Sequence, residues 1–173
     1  YLRYDYQQAE SRPIWTDAKD EVTGPDGAIY ISNHATIWRW REAYQNDFAA
    51  RMDWCLKDVK DANHPPLAVI RGSQEVSLKV GESLTLDASS SSDPDGDVLN
   101  FHWIHYPEAG SYWHWRGNRG IVLQNEKTPI LTLSVPREVE ISRPQTTHVI
   151  LQVTDTGTPA LTRYQRVIVN ILP

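Results

Sequence analysis

The sequence is poor in cysteine, methionine and phenylalanine, and it has no long apolar run. Its 173 residues include one Cys, one Met and two Phe. A single cysteine, Cys55, excludes an internal disulfide framework and a cysteine-rich zinc site. No stretch reaches the roughly 20 apolar residues that a membrane-spanning helix needs, and we find no signal peptide. We therefore expect no membrane partner. Because the sequence begins at Tyr1, we interpret it as a piece of a longer protein.

An excess of positive charge is also missing. The chain has 17 Lys and Arg against 22 Asp and Glu, which gives a net charge of -5 at pH 7. Binding to a phosphate backbone depends on clustered Lys and Arg side chains. We therefore expect no nucleic-acid partner. No nucleophile-elbow or phosphate-loop pattern is present either, so this stretch alone is not expected to be an enzyme.

Residues 34–60 have the periodicity of a helix. Apolar side chains recur there at steps of three and four, at Ile37, Trp40, Tyr44, Phe48, Met52, Cys55 and Val59. Such a face needs an apolar partner, which is either the region that follows or a domain outside this sequence. Because Cys55 lies on this face, we predict that it is packed rather than reactive. The prolines of Asn63–Pro66 end the helical pattern, so we place a domain boundary between residues 62 and 63.

From Leu67 onward the pattern changes to short strands separated by turn residues. Leu99, Phe101 and Trp103 alternate with polar residues, as on a strand with one buried face. The predicted strands are Leu67–Arg71, Glu75–Val80, Ser83–Ala88, Val98–Tyr106, Ile121–Gln124, Ile130–Val135, His148–Thr154 and Tyr164–Ile171. This number of strands is typical of an immunoglobulin-like sandwich. We predict a mainly β fold, with a sandwich at residues 63–173, a helical N-terminal segment, and Trp103 in the core.

Several short segments resemble the PKD-like branch of immunoglobulin-like domains. They are Asn63–Pro66, Val80–Glu82, Leu86–Ala88, Ser92–Asp97, Phe101–Trp103 and Val153–Asp155. Four further segments are similar to the C-terminal portion of a secreted bacterial family described as cellulose-binding, namely Ala35–Arg41, Gln45–Trp54, Ala62–Pro66 and Tyr106–Tyr112. Members of that family pair a nucleoside-hydrolase-like domain with a C-terminal immunoglobulin-like domain. The resemblance implies that residues 1–62 are the tail of the upstream domain and residues 63–173 are the C-terminal module.

The acidic turn Ser92–Asp97 allows two interpretations. Some PKD-like domains bind calcium at such a turn, and the resemblance then implicates Asn63, Asp93, Asp95 and Asp155 as ligands. Alternatively, Pro94-Asp95-Gly96 only builds a tight turn, with Asp97 capping backbone amides.

The segment from His102 to Arg119 is crowded with aromatic and basic side chains. Sugar rings stack on aromatic faces through their C–H groups, so Tyr112, Trp113, Trp115 and Arg116 are the candidate contacts for a polysaccharide. The alternation also places Trp113 and Trp115 on one face, from which they could pack on the helix of residues 34–60 instead.

Asp47 is the third candidate. In a nucleoside hydrolase, a late Asp before a helix helps to hold the calcium ion that activates water, and Gln45–Ala50 resembles such a place. The alternative is an Asp near a helix N-terminus that the helix dipole favours.

Three functions remain open from the sequence. The first is a non-catalytic accessory module that binds a cellulose-like polysaccharide in a secreted, periplasmic or cell-surface protein. The second is the C-terminal part of a calcium-dependent, nucleoside-hydrolase-like N-glycosidase. The third is a rigid spacer between domains. The implied partners are a polysaccharide and the upstream domain of the same protein.

Overall fold

A computed structural model describes residues 20–23, 26–32, 34–111 and 120–173. The chain forms two compact units, residues 1–41 and residues 42–173. In the first unit, strands β1 (Asp20–Thr23) and β2 (Ile29–Ser32) form an antiparallel hairpin, and a short helix α1 (Ala35–Trp38) follows. Asp26 stabilises the hairpin turn because its carboxylate accepts a hydrogen bond from the Tyr30 hydroxyl at 2.7 Å.

Helix α2 (Arg41–Trp54) belongs to the second unit except for its first residue; the unit continues through a 3-10 helix (Val59–Asp61) and then becomes almost entirely β. Its strands are β3 (Glu75–Lys79), β4 (Ser83–Asp87), β5 (Asn100–Tyr106), β6 (Val122–Gln124), β7 (Ile130–Ser134), β8 (Gln145–Thr154) and β9 (Thr162–Leu172). One sheet has the order β3-β9-β8-β5 and the other has the order β4-β7-β6. Strand β3 runs parallel to β9, and the other pairs are antiparallel.

The predicted mainly β fold is confirmed, and seven of the eight predicted strands are present. The exception is Leu67–Arg71, where the structure has a single bridge between Leu67 and Ser92 instead of a strand. The backbone amides of this segment donate to separate acceptors and not to one ladder: Leu67 donates to the Ser92 carbonyl, Val69 to Ser91 Oγ and Arg71 to the Asp87 carbonyl. The predicted pairing of the last two strands is confirmed as well, with Val149 opposite Val167.

Both sheets contribute to one hydrophobic core. Leu86, Leu131 and Leu133 come from the three-stranded sheet, and they cluster with the buried residues of the four-stranded sheet. Trp103 on β5 is 1% exposed, and its Nε1 donates a hydrogen bond to the Thr128 carbonyl at 3.0 Å. A buried indole needs such a partner for its N–H group. The prediction that Trp103 belongs to the core is therefore confirmed.

The helical pattern of residues 34–60 is divided among α1, α2 and the 3-10 helix. The prediction of a packed Cys55 is wrong, because this residue is exposed just beyond the end of α2. Most of the periodic apolar face to which it belongs is exposed as well, at Tyr44, Phe48 and Met52. No helix in the described part of the chain is long and apolar enough to cross a membrane. The predicted domain boundary at residues 62 and 63 stays a prediction.

Candidate functional site

The acidic turn between β4 and β5 holds three carboxylates together. Oxygen atoms of Asp93, Asp95 and Asp97 lie within 4.8 Å of one another. Asp93 Oδ1 accepts hydrogen bonds from the backbone amides of Asp95 at 2.8 Å and Asp97 at 3.2 Å. Gly96 has a φ of +82°, a conformation that glycine adopts without steric cost. The predicted tight turn is confirmed, but the residue that caps its amides is Asp93 and not Asp97.

The linker before the first strand of the sheets is tied to this turn through His64. The backbone amide of His64 donates to Asp95 Oδ2 at 2.6 Å, and its Nδ1 lies 3.0 Å from Asp95 Oδ1. The indole of Trp54 stacks on the His64 ring with 6.5 Å between centroids, and Trp54 Nε1 donates to the Asn63 carbonyl at 2.8 Å. The end of α2, the linker and the acidic turn are thus joined by directed contacts.

Asp155 sits behind the turn at the end of β8 and is 1% exposed. Its Oδ1 accepts the backbone amides of Gly157 at 3.0 Å and Leu161 at 2.9 Å, and its Oδ2 accepts Asn63 Nδ2 at 3.2 Å. The same Asn63 nitrogen donates to the Pro159 carbonyl at 2.8 Å. Both oxygens of Asp155 are therefore satisfied by protein donors, and they close the loop that leads to β9.

The carboxylates of the turn have different environments. Burial raises the pKa of Asp97 above its ordinary value, and the negative charges of Asp93 and Asp155 raise it further. Burial alone would also raise the pKa of Asp95, but hydrogen bonds from His64 outweigh it and hold that pKa below its ordinary value. Asp93 Oδ2 is buried and has no hydrogen-bond partner. A buried, unpaired carboxylate oxygen beside a carboxyl of raised pKa is a feature that a cation would relieve.

The predicted calcium ligands fit this picture only in part. Calcium binds six to eight oxygen atoms, so a site needs carboxylate oxygens that are not already engaged. Asp93 Oδ2 meets that condition, and Asp97 lies beside it. Asp155 is engaged by backbone amides and Asp95 by His64, while Asn63 turns its amide nitrogen toward Asp155. The residues that fit a cation best are therefore Asp93 and Asp97.

Asp47 lies on α2 between two guanidinium groups. Its Oδ2 is 2.7 Å from Arg51 Nε, and its Oδ1 is 3.2 Å from Arg163 Nη1 on β9. The hydrogen bond from Arg51, together with the positive charges of both arginines, keeps the pKa of Asp47 below its ordinary value despite partial burial. Both oxygens already have charged partners, so the local geometry favours attachment of α2 to β9 over coordination of a metal ion.

The predicted glycan contacts Tyr112, Trp113, Trp115 and Arg116 lie outside the described residues. The preceding residue is described, and Ser111 is fastened to β8: its backbone amide donates to Thr146 Oγ1 at 3.0 Å, and its Oγ accepts the Thr146 amide at 2.8 Å. A Cβ atom at Gly110 would collide with the Thr146 carbonyl, so glycine is required for this close approach. After the segment, Ile121 is 4% exposed. Both flanks of the aromatic segment are therefore anchored in the fold.

Sequence reasoning missed Tyr164. Among the described residues after position 63, it is the only Trp, Tyr or Phe exposed by more than about a third, at 37%. It lines a shallow cleft of about 460 Å³ together with Pro65, Leu67 and Pro94. Burial raises the pKa of Tyr164 to about 12, and the negative charge of Glu42 adds to the effect. The only sequence signal for Tyr164 was its aromatic side chain at an outward position of a strand. The strand pattern alone does not distinguish such a residue from the rest of the surface.

The structure defines a mainly β module built from two sheets, and comparison with known proteins specifies the family. Residues 83–171, slightly more than half of the chain, match the family model "Cellulose-binding protein Sde0182, C-terminal domain". The chain belongs to this family.

Three individual proteins are also similar. A solved nucleoside hydrolase-related hypothetical protein from Saccharophagus degradans, described as associated with carbohydrate metabolism, is 34% identical with a TM-score of 0.70, and the match covers 84% of this chain and 35% of that one. A microbial collagenase from Vibrio alginolyticus is 34% identical over 74 residues, which is 43% of this chain and 8% of the collagenase. The PKD domain of the KIAA 1837 protein is 21% identical with a TM-score of 0.39, over 60% of this chain and 84% of the domain. This chain thus spans about a third of the Saccharophagus protein and a small part of the collagenase.

Proposed function

We propose that this chain is a non-catalytic accessory module that binds a cellulose-like polysaccharide. The observation that carries the proposal is the match of residues 83–171 to the C-terminal domain of a cellulose-binding protein. The Saccharophagus relative, which is described as associated with carbohydrate metabolism, supports the same substrate class. We further infer that the two sheets, which share one core, form the PKD/immunoglobulin-like sandwich that the sequence predicts. Insoluble polysaccharides lie outside cells, so the proposal includes a secreted, periplasmic or cell-surface location.

The proposed contact surface is the aromatic segment with Tyr112, Trp113, Trp115 and Arg116. Stacking on a sugar ring needs an aromatic face that is open to solvent. Trp103 does not qualify because it is buried, and among the described residues after position 63 the most exposed Trp, Tyr or Phe is the single residue Tyr164, at 37%. We therefore assign the proposed platform of aromatic rings to the segment between Ser111 and Gly120, whose flanks are anchored in the fold.

The test is retention of the purified chain on insoluble cellulose and on other polysaccharides. Wild-type protein should sediment with cellulose, and the double variant W113A/W115A should remain in the supernatant. A wild-type chain that no polysaccharide retains would remove the proposal. Far-UV circular dichroism of both proteins ensures that lost retention does not reflect unfolding.

A second candidate is participation in a nucleoside-hydrolase-like N-glycosidase, which the description of the Saccharophagus relative favours. In that case Asp47 supplies one calcium ligand of a site shared with an upstream domain. The two arginine partners of Asp47 oppose this role, since calcium would have to displace them. A ribohydrolase assay on the complete polypeptide, wild type against Asp47→Ala, decides between the two: unchanged activity rejects the ligand role, and a loss of activity that added calcium partly restores supports it.

A further inference from the structure

Strand β9 is longer than its neighbour β3, and the difference shapes the surface beside it. Strand β3 pairs with Ile168–Leu172, the last part of β9. The linker of residues 65–68 borders the first part of β9 instead. Amides of this linker and of the residues after it are directed away from β9: Leu67 donates to the Ser92 carbonyl at 2.7 Å, and Arg71 donates to the Asp87 carbonyl at 2.8 Å. A gap therefore remains between the linker and the first part of β9.

Two clefts occupy this gap, and they meet at Tyr164 and Gln165, which line both of them. The first is the cleft of about 460 Å³ described above, whose walls are mostly apolar. The second has a volume of about 500 Å³ and mostly polar walls, formed besides the shared pair by Ser73, Gln74, Glu75, Arg166 and Ile168. We call the two clefts together the β9 groove. Each has a volume within the range of roughly 300–1,000 Å³ that ligand pockets have.

The wall that the two clefts share is held in place by hydrogen bonds. Gln165 Oε1 accepts a hydrogen bond from Gln74 Nε2 at 2.9 Å, and Gln165 Nε2 donates to the Ala68 carbonyl at 3.2 Å. These bonds tie β9 both to the residue that precedes β3 and to the linker. The side chain of Gln165 is therefore fixed before any ligand arrives.

The charges along the β9 groove balance one another. Arg166 is exposed, and no hydrogen bond or ion pair joins its guanidinium group to another residue in the described part of the chain. The Glu75 carboxylate accepts Asn170 Nδ2 at 3.0 Å through one of its two oxygens. Arg163, the other arginine of the lining, is paired with Asp47 at 3.2 Å. A ligand therefore meets donors on Arg166 and an acceptor on Glu75, with no excess of either charge.

We propose that the β9 groove binds a single, uncharged oligosaccharide chain. Sugar hydroxyl groups both donate and accept hydrogen bonds, so they suit a wall that offers both kinds of group and no net charge. The C–H faces of sugar rings suit the ring of Tyr164, which is 37% exposed where the two clefts meet. The class of ligand rests on the proposed function, but the site is a second one, built from other residues than the aromatic segment.

The two sites differ in the form of the ligand that they accept. A groove surrounds one chain from several sides, whereas a chain packed in the surface of insoluble cellulose presents one side. The β9 groove is therefore suited to soluble chains and free chain ends, and we expect it to contribute little to retention on the solid.

The experiment is an NMR titration of the isotope-labelled chain with cellotetraose, a soluble fragment of cellulose. It uses the W113A/W115A variant as the parent protein, because the proposed contacts for insoluble cellulose are then removed. The amide signals of residues 73–75 and 164–168 should shift together and saturate. Tyr164→Ala and Arg166→Ala, each added to this parent, should weaken binding about 5-fold or more, the effect of one lost ring contact or hydrogen bond.

Two exposed residues outside the groove provide matched controls. Tyr44→Ala removes a tyrosine on α2 that is 48% exposed, and Lys79→Ala removes an exposed basic side chain on β3. Both should bind cellotetraose like the parent protein. Tyr164→Phe keeps the ring and should bind within about twofold of the parent. Because Arg166 is exposed, its replacement tests the groove without disturbing the core.

Saturable binding that both groove variants weaken and both controls preserve supports the proposal. A W113A/W115A protein that does not bind cellotetraose overturns it, and retention of the wild type on cellulose would then leave the proposed function intact. Conversely, binding in the groove by a chain that no insoluble polysaccharide retains supports the groove and removes the aromatic platform. Signals of the groove that shift with an oligoproline peptide but not with cellotetraose overturn the proposal in favour of a peptide ligand.

Discussion

Asp155 and Leu161 are joined by two hydrogen bonds across the loop between β8 and β9. The backbone amide of Leu161 donates to Asp155 Oδ1 at 2.9 Å, and the backbone amide of Asp155 donates to the Leu161 carbonyl at 3.0 Å. Leu161 is completely buried, so the pair fixes the start of β9 in the interior. The Asp155 carboxylate thus takes the place of the backbone hydrogen bonds of the sheet at the point where the β8–β9 hairpin opens into a loop.

The first prediction concerns Asp155→Ala. The substitution leaves the part-buried amide of Gly157 and the buried amide of Leu161 without their acceptor, and it also removes one of the two acceptors of Asn63. We expect it to lower the free energy of unfolding by about 2–4 kcal/mol, the cost of leaving buried donors unsatisfied. Urea denaturation followed by tryptophan fluorescence measures the change.

Asp53→Ala provides the comparison for this measurement. Asp53 makes an exposed pair with Lys57 at 2.8 Å, one turn apart on the surface. Such pairs contribute about 0.5 kcal/mol or less, so this variant should be nearly neutral. Equal effects of the two substitutions would contradict the structural role assigned to Asp155.

The second prediction concerns the attachment of α2. In a double-mutant cycle, Asp47→Asn and Arg163→Met should show a coupling energy of about 0.5–1 kcal/mol, as expected for a partly exposed ion pair. The pKa of Asp47 is held low in the folded state, mainly by Arg51 and further by Arg163. Its contribution to stability is therefore complete above the unfolded-state pKa and is lost as the pH falls through the lower folded-state pKa. Asp47→Asn should flatten this acid dependence, and additive single effects would disprove the coupling.

The third prediction concerns calcium at the acidic turn. The pKa of Asp97 is raised by burial and by the carboxylates around it, so its ionisation opposes folding. Stability should accordingly fall as the pH rises from the unfolded-state pKa through the folded-state pKa of Asp97. Asp97→Asn should remove this dependence and raise the melting temperature in the presence of a chelator.

If calcium occupies the turn, it should raise the melting temperature of the wild type and have little effect on Asp97→Asn or Asp93→Asn, because a ligand that binds only the folded state stabilises it. Asp53→Asn, far from the turn in sequence, should respond like the wild type. A wild-type protein whose melting temperature is the same with calcium and with chelator would disprove the prediction that calcium binds at the acidic turn. The pH effect of Asp97 would remain, since it follows from burial and from the neighbouring carboxylates of the protein itself.

The strands could be predicted because their signal is local. The alternation of Leu99, Phe101 and Trp103 with polar residues predicts which face of the strand is buried, and Trp103 lies on that face. The acidic turn is equally local, since Pro94-Asp95-Gly96 encodes it in three consecutive residues. What these patterns do not contain is the identity of distant partners.

The predictions that failed involve contacts between residues that are far apart in the sequence. Asp95 is engaged by His64, 31 residues away, and Asp47 by Arg163, 116 residues away. The apolar periodicity of α2 correctly identified an apolar face of the helix, but it did not show whether that face is buried. The helix is in fact attached through two polar residues, Asn46 and Asp47, and the small residue Ala50, while Tyr44, Phe48 and Met52 of the periodic face are left exposed. The sequence periodicity therefore led to the wrong prediction that the side chain of Cys55, on the apolar face, is buried.

The last prediction separates two surfaces for glycan binding. Tyr164→Ala should leave retention on cellulose within about twofold of the wild type, because one half-buried ring contributes little compared with several stacked rings. Its ring is 37% exposed, and most of the residues that line its cleft are apolar, although Ser92, Arg163 and Gln165 also line it and could meet sugar hydroxyls. The variants W113A and W115A should each weaken retention at least about 10-fold, the loss of one stacking contact of roughly 1.4 kcal/mol. Depletion isotherms on microcrystalline cellulose give all three values.

The opposite ranking is equally informative. If Tyr164→Ala abolishes retention while W113A and W115A are retained like the wild type, glycan binding is located at the cleft beside β9, and the aromatic segment has another role. Tyr164→Phe resolves that case further, because it keeps the ring and removes only the hydroxyl whose pKa burial raises to about 12. Retention by Tyr164→Phe but not by Tyr164→Ala would identify ring stacking as the interaction, and loss in both would identify hydrogen bonding by the hydroxyl group.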